Sequence, residues 1–227
     1  MWHAVQRERH SPGKWGVATR AWAVRDLPPP TGADPGPLPA SRGSMTVRQG
    51  IGRIAGRAVS RLRAGEDHLA WHDVARSAPR ALEVTSSSFT DGAELPRSAT
   101  ADGDGVAIPL SWANVPEETR SLVVVCEDPD APLPEPFVHW IVVGIPKDAS
   151  GIGRGASFVE GMSSAATVGF TPAAPPLGHG VHHYHFQVFA LDVAPELPRG
   201  VGRRQVLDAV RGHVVAWGDL VGTYQRS

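Results

Sequence analysis

Acidic turn residues and histidines stand at the ends of apolar runs in the second half of the chain. The segment Cys126-Glu127-Asp128-Pro129-Asp130-Ala131-Pro132 is followed by Phe137-Val138-His139-Trp140, and later by Gly180-Val181-His182-His183-Tyr184-His185-Phe186. A carboxylate beside an imidazole can hold the ring in one tautomer, and a second imidazole and a phenol add hydrogen-bond donors. This combination suits the binding of a phosphate-type oxyanion.

Two prolines restrain the acidic turn. Pro129 and Pro132 fix φ at about −65° on either side of Asp130, so the neighbouring carboxylates cannot swing freely. A preformed anion site requires this kind of rigidity.

Strand alternation sorts the histidine-rich segment into two faces. Side chains two residues apart lie on the same side of a strand, so His182 and Tyr184 point together. His183 and His185 then lie on the other face. Of the histidines that could suggest a metal site, only this second pair shares a side, and no metal ligand is predicted.

The elements that must position these residues are mostly strands. Apolar or β-branched runs over 82–85, 122–126, 137–145 and 184–191 predict strands, and the continuously apolar second run predicts a strand covered on both faces. Apolar residues over 203–221 recur at helical spacing, although Gly212 and Gly218 interrupt them. The predicted fold is a mostly-β domain closed by a C-terminal helix.

Composition bounds the protein class. A chain of 227 residues with 41% apolar content suits one domain with a sizeable core, and no run approaches the ~18 apolar residues of a membrane span. The single cysteine, Cys126, excludes an internal disulfide and is interpreted as a core residue rather than a nucleophile. The start lacks the pattern of a secretory signal, so a cytoplasmic protein of bacterial type is expected.

The first third of the chain differs from the rest. Residues 1–80 carry 13 Arg and Lys against 6 Asp and Glu, or +7, and the remainder carries 9 against 17, or −8. The Pro-rich stretch 1–44 is expected to be disordered, with Met45 as an alternative natural start. Residues 45–64 read as a basic amphipathic helix, and three segments are predicted: 1–44, 45–80 and 81–227.

The motifs from 81 to 227 resemble those of the phosphatidylethanolamine-binding protein family, in particular its bacterial branch, the Raf-kinase-inhibitor-like proteins. The resemblance implies an antiparallel β-sandwich with an anion pocket formed by Asp128, His139, His182 and Tyr184. It adds Asp130, Pro132, Pro176 and Gly180 as ligand-binding residues. His183 stands where the family carries Arg, and Thr171 and Ala174 depart from the expected pocket wall, which affects pocket size and ligand preference.

The leading functional hypothesis is a non-enzymatic protein that binds a phosphate- or carboxylate-bearing small molecule, or a phospholipid head group, and regulates a partner. The chain has no phosphate loop, nucleophile elbow or metalloprotease helix, and no cofactor or nucleic-acid partner is expected. One alternative is an enzyme that uses His139 and His182 as general acid and base on a phosphorylated substrate. Another is a dimeric interaction module, a homodimer joined through the basic helix.

Overall fold

The computed structural model describes residues 63–153 and 158–227. The disordered stretch predicted over 1–44 lies outside these ranges, and so does nearly all of the basic helix predicted over 45–64. The strands described are β1 (Glu83–Thr85), β2 (Leu110–Ala113), β3 (Ser121–Asp128), β4 (Phe137–Pro146), β5 (Gly151–Ile152), β6 (Val159–Glu160), β7 (His182–Leu191) and β8 (Val214–Tyr224). The helices are α1 (Ala70–Val74) and α2 (Arg203–Val210), with 3-10 turns at Glu66–His68 and Arg97–Ala99.

Two antiparallel sheets form the domain. The larger has the strand order β6-β4-β3-β7-β8, and the smaller has the order β1-β2-β5. β3 lies at the centre of the larger sheet, paired with β4 on one side and with β7 on the other. The prediction of a mostly-β antiparallel fold with a C-terminal helix is confirmed.

The alternation of β3 explains both hydrophobic layers. All eight of its residues are buried. Val124 and Cys126 pack with residues of the smaller sheet, whereas Val123 and Val125 pack with the helices on the other side. Burial, followed by the nearby carboxylates, raises the pKa of the Cys126 thiol well above its usual range, in keeping with its interpretation as a core residue.

The C-terminal region corrects one sequence expectation. Helical spacing over 203–221 suggested one interrupted helix, but α2 ends at Val210 and β8 follows. Gly212 adopts φ +81°, which reverses the chain between the two elements. A Cβ on Gly218 would lie 2.4 Å from the carbonyl oxygen of Leu82, so this glycine permits a close approach of two backbones in the sandwich.

The segment before β1 packs on the helical face of the larger sheet. The 3-10 turn Glu66–His68 and α1 form this segment, with a break between them at Leu69. The backbone N–H of Ala70 donates to the Glu127 carboxylate at 2.8 Å, and that of Trp71 donates to the Gln187 side-chain oxygen at 2.9 Å. None of the helices in the described parts of the chain is long and apolar enough to cross a membrane.

Candidate functional site

A cavity of about 320 Å³ opens where β3 ends and where β4 and β7 begin. The antiparallel pairing of β3 with both neighbours brings these ends together, so Asp128, His139 and His182 meet although they are distant in sequence. The wall residues are Asp128, Ala131, Pro132, Leu133, Phe137, His139, Thr171, Pro172, Ala174, Pro175, Pro176 and His182.

The acidic turn after β3 is fixed by local hydrogen bonds. The Asp128 carboxylate accepts the backbone N–H of Asp130 at 2.8 Å, which is the side-chain turn that Asp forms readily ahead of a rigid Pro. The carbonyl of Pro129 accepts the N–H of Gly65 at 2.9 Å, so the segment before α1 supports the turn from outside. The carboxylate is therefore held in place before any ligand arrives.

A buried chain of hydrogen bonds leads from Asp128 through two histidines. Nδ1 of His182 lies 2.7 Å from Oδ2 of Asp128, which is the contact that the sequence hypothesis required. Nε2 of His182 lies 2.7 Å from Nδ1 of His179. All three side chains are buried. Because a carboxylate accepts, Nδ1 of His182 is the protonated nitrogen, and Asp128 orients the ring.

His139 is the second histidine of the cavity wall. Its Nδ1 lies 2.7 Å from the carbonyl oxygen of Thr171, and the ring packs against Phe137 and Tyr184 with centroid distances of 4.7 and 5.0 Å. Burial lowers the pKa of His139, and His182 acts in the same direction, against the opposing effects of the Thr171 carbonyl and Asp128. The neutral form of the imidazole is favoured.

Tyr184 lies behind His139 and not on the cavity wall. Its side chain is buried in the core between the sheets, and its hydroxyl has no hydrogen-bond partner among the described residues. Burial raises the pKa of the phenol far above its usual range, and the charge of Asp128 adds to this effect. Tyr184 therefore supports His139 through an aromatic contact.

Two other residues predicted to bind the ligand, Asp130 and Gly180, are not among the residues that line the cavity. The Asp130 carboxylate accepts two hydrogen bonds from His183, one from the backbone N–H at 2.8 Å and one from the ring Nδ1 at 2.7 Å. It also forms an ion pair with Arg63. Gly180 adopts φ +103°, and a Cβ there would lie 3.9 Å from the Arg63 guanidinium. Asp130 is thus engaged by Arg63 and His183, and His183 has a structural partner that the sequence did not predict.

The sequence indicated the polar residues of the cavity wall better than the apolar ones. Of the residues predicted to bind a ligand, Asp128, Pro132, His139, Pro176 and His182 line the cavity, and Asp130, Gly180 and Tyr184 are not among the lining residues. Ala131, Leu133 and Phe137 were not singled out, although they lie inside or next to the quoted motifs. Across residues 63–153 and 158–227, no group of three or more His, Cys, Asp or Glu side chains could hold a metal ion.

Comparisons with known proteins identify a family. Residues 85–225 match the family described as phosphatidylethanolamine-binding protein. The chain is 35% identical over 153 residues to a UPF0098 protein from Methanothermobacter thermautotrophicus. The match covers 64% of this chain and 99% of the relative. It is 36% identical over 151 residues to a UPF0098 protein from Chlamydia trachomatis, with coverage of 64% and 99%.

Solved structures show the same fold. A phosphatidylethanolamine-binding protein homologue from Chlamydia trachomatis superposes with a TM-score of 0.61 at 36% identity, over 65% of this chain and 99% of that structure. Escherichia coli YbcL, described as a member of the mammalian family, superposes with a TM-score of 0.59 at 28% identity, over 65% and 99%. The chain belongs to the phosphatidylethanolamine-binding protein family, and this membership supports a ligand-binding protein.

Proposed function

We propose that the protein binds, without turning over, a small molecule that carries a phosphate or carboxylate group, including a phospholipid head group. The ligand would occupy the cavity at the end of β3. The observation that carries this proposal is a buried polar floor, formed by Asp128, His139 and His182, at the bottom of an otherwise apolar cavity. Such cavities, in which a few fixed polar groups orient a ligand, are typical of small-molecule sites.

The arrangement favours binding over catalysis. Asp128 and His182 are oriented as in an acid–base pair, which keeps the alternative of an enzyme acting on a phosphorylated substrate. However, the second nitrogen of His182 faces His179 and not the cavity. Turnover of phosphorylated compounds by the purified protein, abolished in a folded His139→Ala variant, would favour the enzyme.

Other expectations from the sequence stay predictions. The homodimer through the basic helix, the regulated protein partner of the Raf-kinase-inhibitor-like type, the absence of a nucleic-acid partner and the cytoplasmic location all concern properties beyond the described site.

The proposed site is tested by calorimetry with inorganic phosphate on His139→Ala and His182→Ala. Loss of one protein group that hydrogen-bonds a charged ligand typically weakens binding by roughly 10- to 100-fold, which is the effect expected of His139→Ala. His182→Ala should also weaken binding, because it removes the ring that holds the Asp128 carboxylate in place. The matched control is His213→Ala, because His213 pairs with Asp192 on the surface beyond the opposite end of β7.

The variants' melting temperatures are measured in parallel, so that a loss of fold is recognised. Where His182→Ala does not fold, the His139→Ala result decides. Unchanged affinity in a folded His139→Ala variant, or an equal loss in His213→Ala, would show that phosphate binds elsewhere.

A further inference from the structure

The acidic turn after β3 holds β7 from both of its faces. Oδ2 of Asp128 lies 2.7 Å from Nδ1 of His182, inside the cavity wall. The Asp130 carboxylate accepts from the backbone and the ring of the next residue, His183, at 2.8 and 2.7 Å. Because successive residues of a strand point to opposite faces, the first carboxylate is the inner one and the second is the outer one.

The outer carboxylate is paired with a residue from outside the family domain. The Arg63 guanidinium forms an ion pair with Asp130, whose side chain is only 11% exposed. Arg63 belongs to residues 63–80, here called the leading segment, and the family match covers residues 85–225. The two UPF0098 relatives are matched over 99% of their own length by little more than these residues, so the leading segment is an addition to the family domain.

Backbone hydrogen bonds fix the start of the leading segment along the turn. The N–H groups of Ala64 and Gly65 donate to the carbonyl oxygens of Ala131 and Pro129 at 3.2 and 2.9 Å. Gly65 adopts φ +90°, a conformation that favours glycine, and the chain changes direction here toward the helical face of the sheet. Three consecutive residues, 63–65, therefore engage the turn from its outer side.

The turn connects this outer side directly to the cavity. The backbone N–H of Asp130 donates to the Asp128 carboxylate at 2.8 Å, so the outer and inner residues are joined. Ala131, whose carbonyl oxygen accepts from the leading segment, lines the cavity together with Pro132. A displacement of the outer side of the turn therefore moves the cavity wall.

Near neutral pH, the positive charge beside Asp130 comes from Arg63 and not from His183. Burial lowers the pKa of His183, and the charges of His185 and Arg63 act in the same direction. The carboxylates that face this ring are those of Asp130, Asp128 and Glu66. The pKa of His183 is lowered despite the charges of Glu66 and Asp128, so the ring is a neutral donor and Arg63 is the fixed cation.

We propose that Arg63 is a positioning residue for the cavity: it holds Asp130, fixes the acidic turn and thereby keeps the cavity wall ordered. The leading segment acts as a clamp on the turn. Its other attachments, through the N–H groups of Ala70 and Trp71, lie on the sheet face, so loss of the Arg63 charge loosens the turn while the domain stays folded. This role does not depend on which ligand the cavity takes, and a failure of the proposed anion binding would leave it intact.

Amide hydrogen exchange on the full chain, followed by NMR, tests this role. Arg63→Met keeps the length of the side chain and removes the charge. Because the ion pair is partly exposed, its loss should speed exchange of the Asp130 and His183 amides by roughly 3- to 10-fold. Arg63→Lys keeps the charge and should retain most of the protection. The matched control is Arg76→Met, because Arg76 is an exposed arginine of the same segment whose guanidinium lies beside His72.

A cation supplied from the other side separates the effect of charge from that of the backbone. Residue 183 reaches Asp130 with its backbone and its ring, so an arginine there can supply the guanidinium. In the double variant Arg63→Met/His183→Arg the Asp130 amide should regain its protection, whereas the amides of Ala64 and Gly65 should not. In Arg63→Met alone, the pKa of His183 should rise, because one of the charges that lower it is removed.

Several results would overturn the clamp. They are unchanged exchange of the Asp130 amide in Arg63→Met, an equal acceleration in Arg76→Met, and no recovery in the double variant, which would assign the order of the turn to the backbone bonds alone. Melting temperatures are measured in parallel. If Arg63→Met does not fold, recovery of the fold in the double variant supports the role of the cation, and its absence overturns it.

Discussion

At the scale of single residues, the hydroxyl of Tyr184 is the polar atom whose position needs explanation. The residue is 1% exposed, and its hydroxyl has no hydrogen-bond partner in the described parts of the chain. A buried hydroxyl without a partner costs free energy, because it has lost its bonds to water. The ring itself packs well, edge-on to His139.

Tyr184→Phe should therefore keep the ring and remove the cost. We expect the free energy of unfolding, measured in urea, to be unchanged or to rise by up to about 1 kcal/mol. The affinity for inorganic phosphate should not change, because Tyr184 lies behind His139 and not on the cavity wall.

The matched control is Tyr224→Phe. The Tyr224 hydroxyl donates to the Asp102 carboxylate at 2.8 Å, so its removal should lower stability. If Tyr184→Phe instead weakened phosphate binding in a folded protein, the Tyr184 hydroxyl would be a hydrogen-bond donor to the ligand. Tyr184 would then belong to the binding site.

The residues of the site were predictable to different degrees. Asp128, His139 and His182 were predictable because each occupies a distinctive motif at the end of a strand. The roles of Asp130 and His183 were not, since they depend on Arg63 and on the segment that supports the acidic turn. No short-range pattern indicates that a residue more than sixty positions away will supply the cation.

At the scale of elements, Glu127 connects three parts of the fold. This residue of β3 is fully buried, and it accepts the N–H of Ala70 at the start of α1 and the side-chain N–H of Gln187 on β7. Arg203, the first residue of α2, donates to it at 2.5 Å and also donates to the carbonyl of His68 at 2.7 Å. The network therefore holds the 66–74 segment and α2 on the same face of the sheet.

Arg203→Met should weaken this connection strongly. The Glu127 charge would stay buried without its cation, and breaking a buried ion pair by removing one partner typically costs about 3–5 kcal/mol. Unfolding in urea measures the loss, and the amides of Ala70 and Trp71 should exchange hydrogen faster than in the natural sequence.

Arg204→Met is the control for this prediction. Arg204 is the neighbouring residue of α2, and its side chain is 95% exposed, so its replacement should change stability by no more than about 0.5 kcal/mol. Adding Glu127→Gln to Arg203→Met removes the unpaired charge and should recover part of the loss. Equal effects of the two arginine variants would mean that the ion pair contributes little.

The elements themselves illustrate where sequence patterns lose power. β3 and β7 were predictable because continuous apolar runs or strict alternation leave little choice. The residues of β8 fit helical spacing equally well, and only their pairing with β7 decides the outcome. Gly218 was expected to interrupt a helix, but it lies in β8 where Leu82 approaches the strand closely, and Gly222 is likewise placed against Leu95.

At the scale of the whole molecule, three histidines of β4 and β7 make stability depend on pH in opposite directions. Burial lowers the pKa values of His139 and His183, so their protonation opposes folding as the pH falls below the unfolded value of about 6.5. Burial also acts to lower the pKa of His185, but the hydrogen bond and charge of Asp219, with Glu66 and Glu127, raise it overall. His185 therefore stabilises the folded protein when it is protonated.

The contribution of His185 should be fully present below the unfolded pKa of about 6.5 and should disappear as the pH rises through its higher folded value. His185→Gln isolates it, because the amide can still donate to Asp219, which lies 2.9 Å from Nδ1 of the natural ring. Subtracting the unfolding free energy of the variant from that of the natural sequence cancels the effect of His139. Because the charge of His185 also lowers the pKa of His183, both proteins are compared in a His183→Gln background. The difference should shrink as the pH rises above the unfolded value of about 6.5, because the pKa of His185 is raised in the folded protein. In an Asp219→Asn background the same difference should not vary in this way, and a difference that grew with pH would contradict the raised pKa.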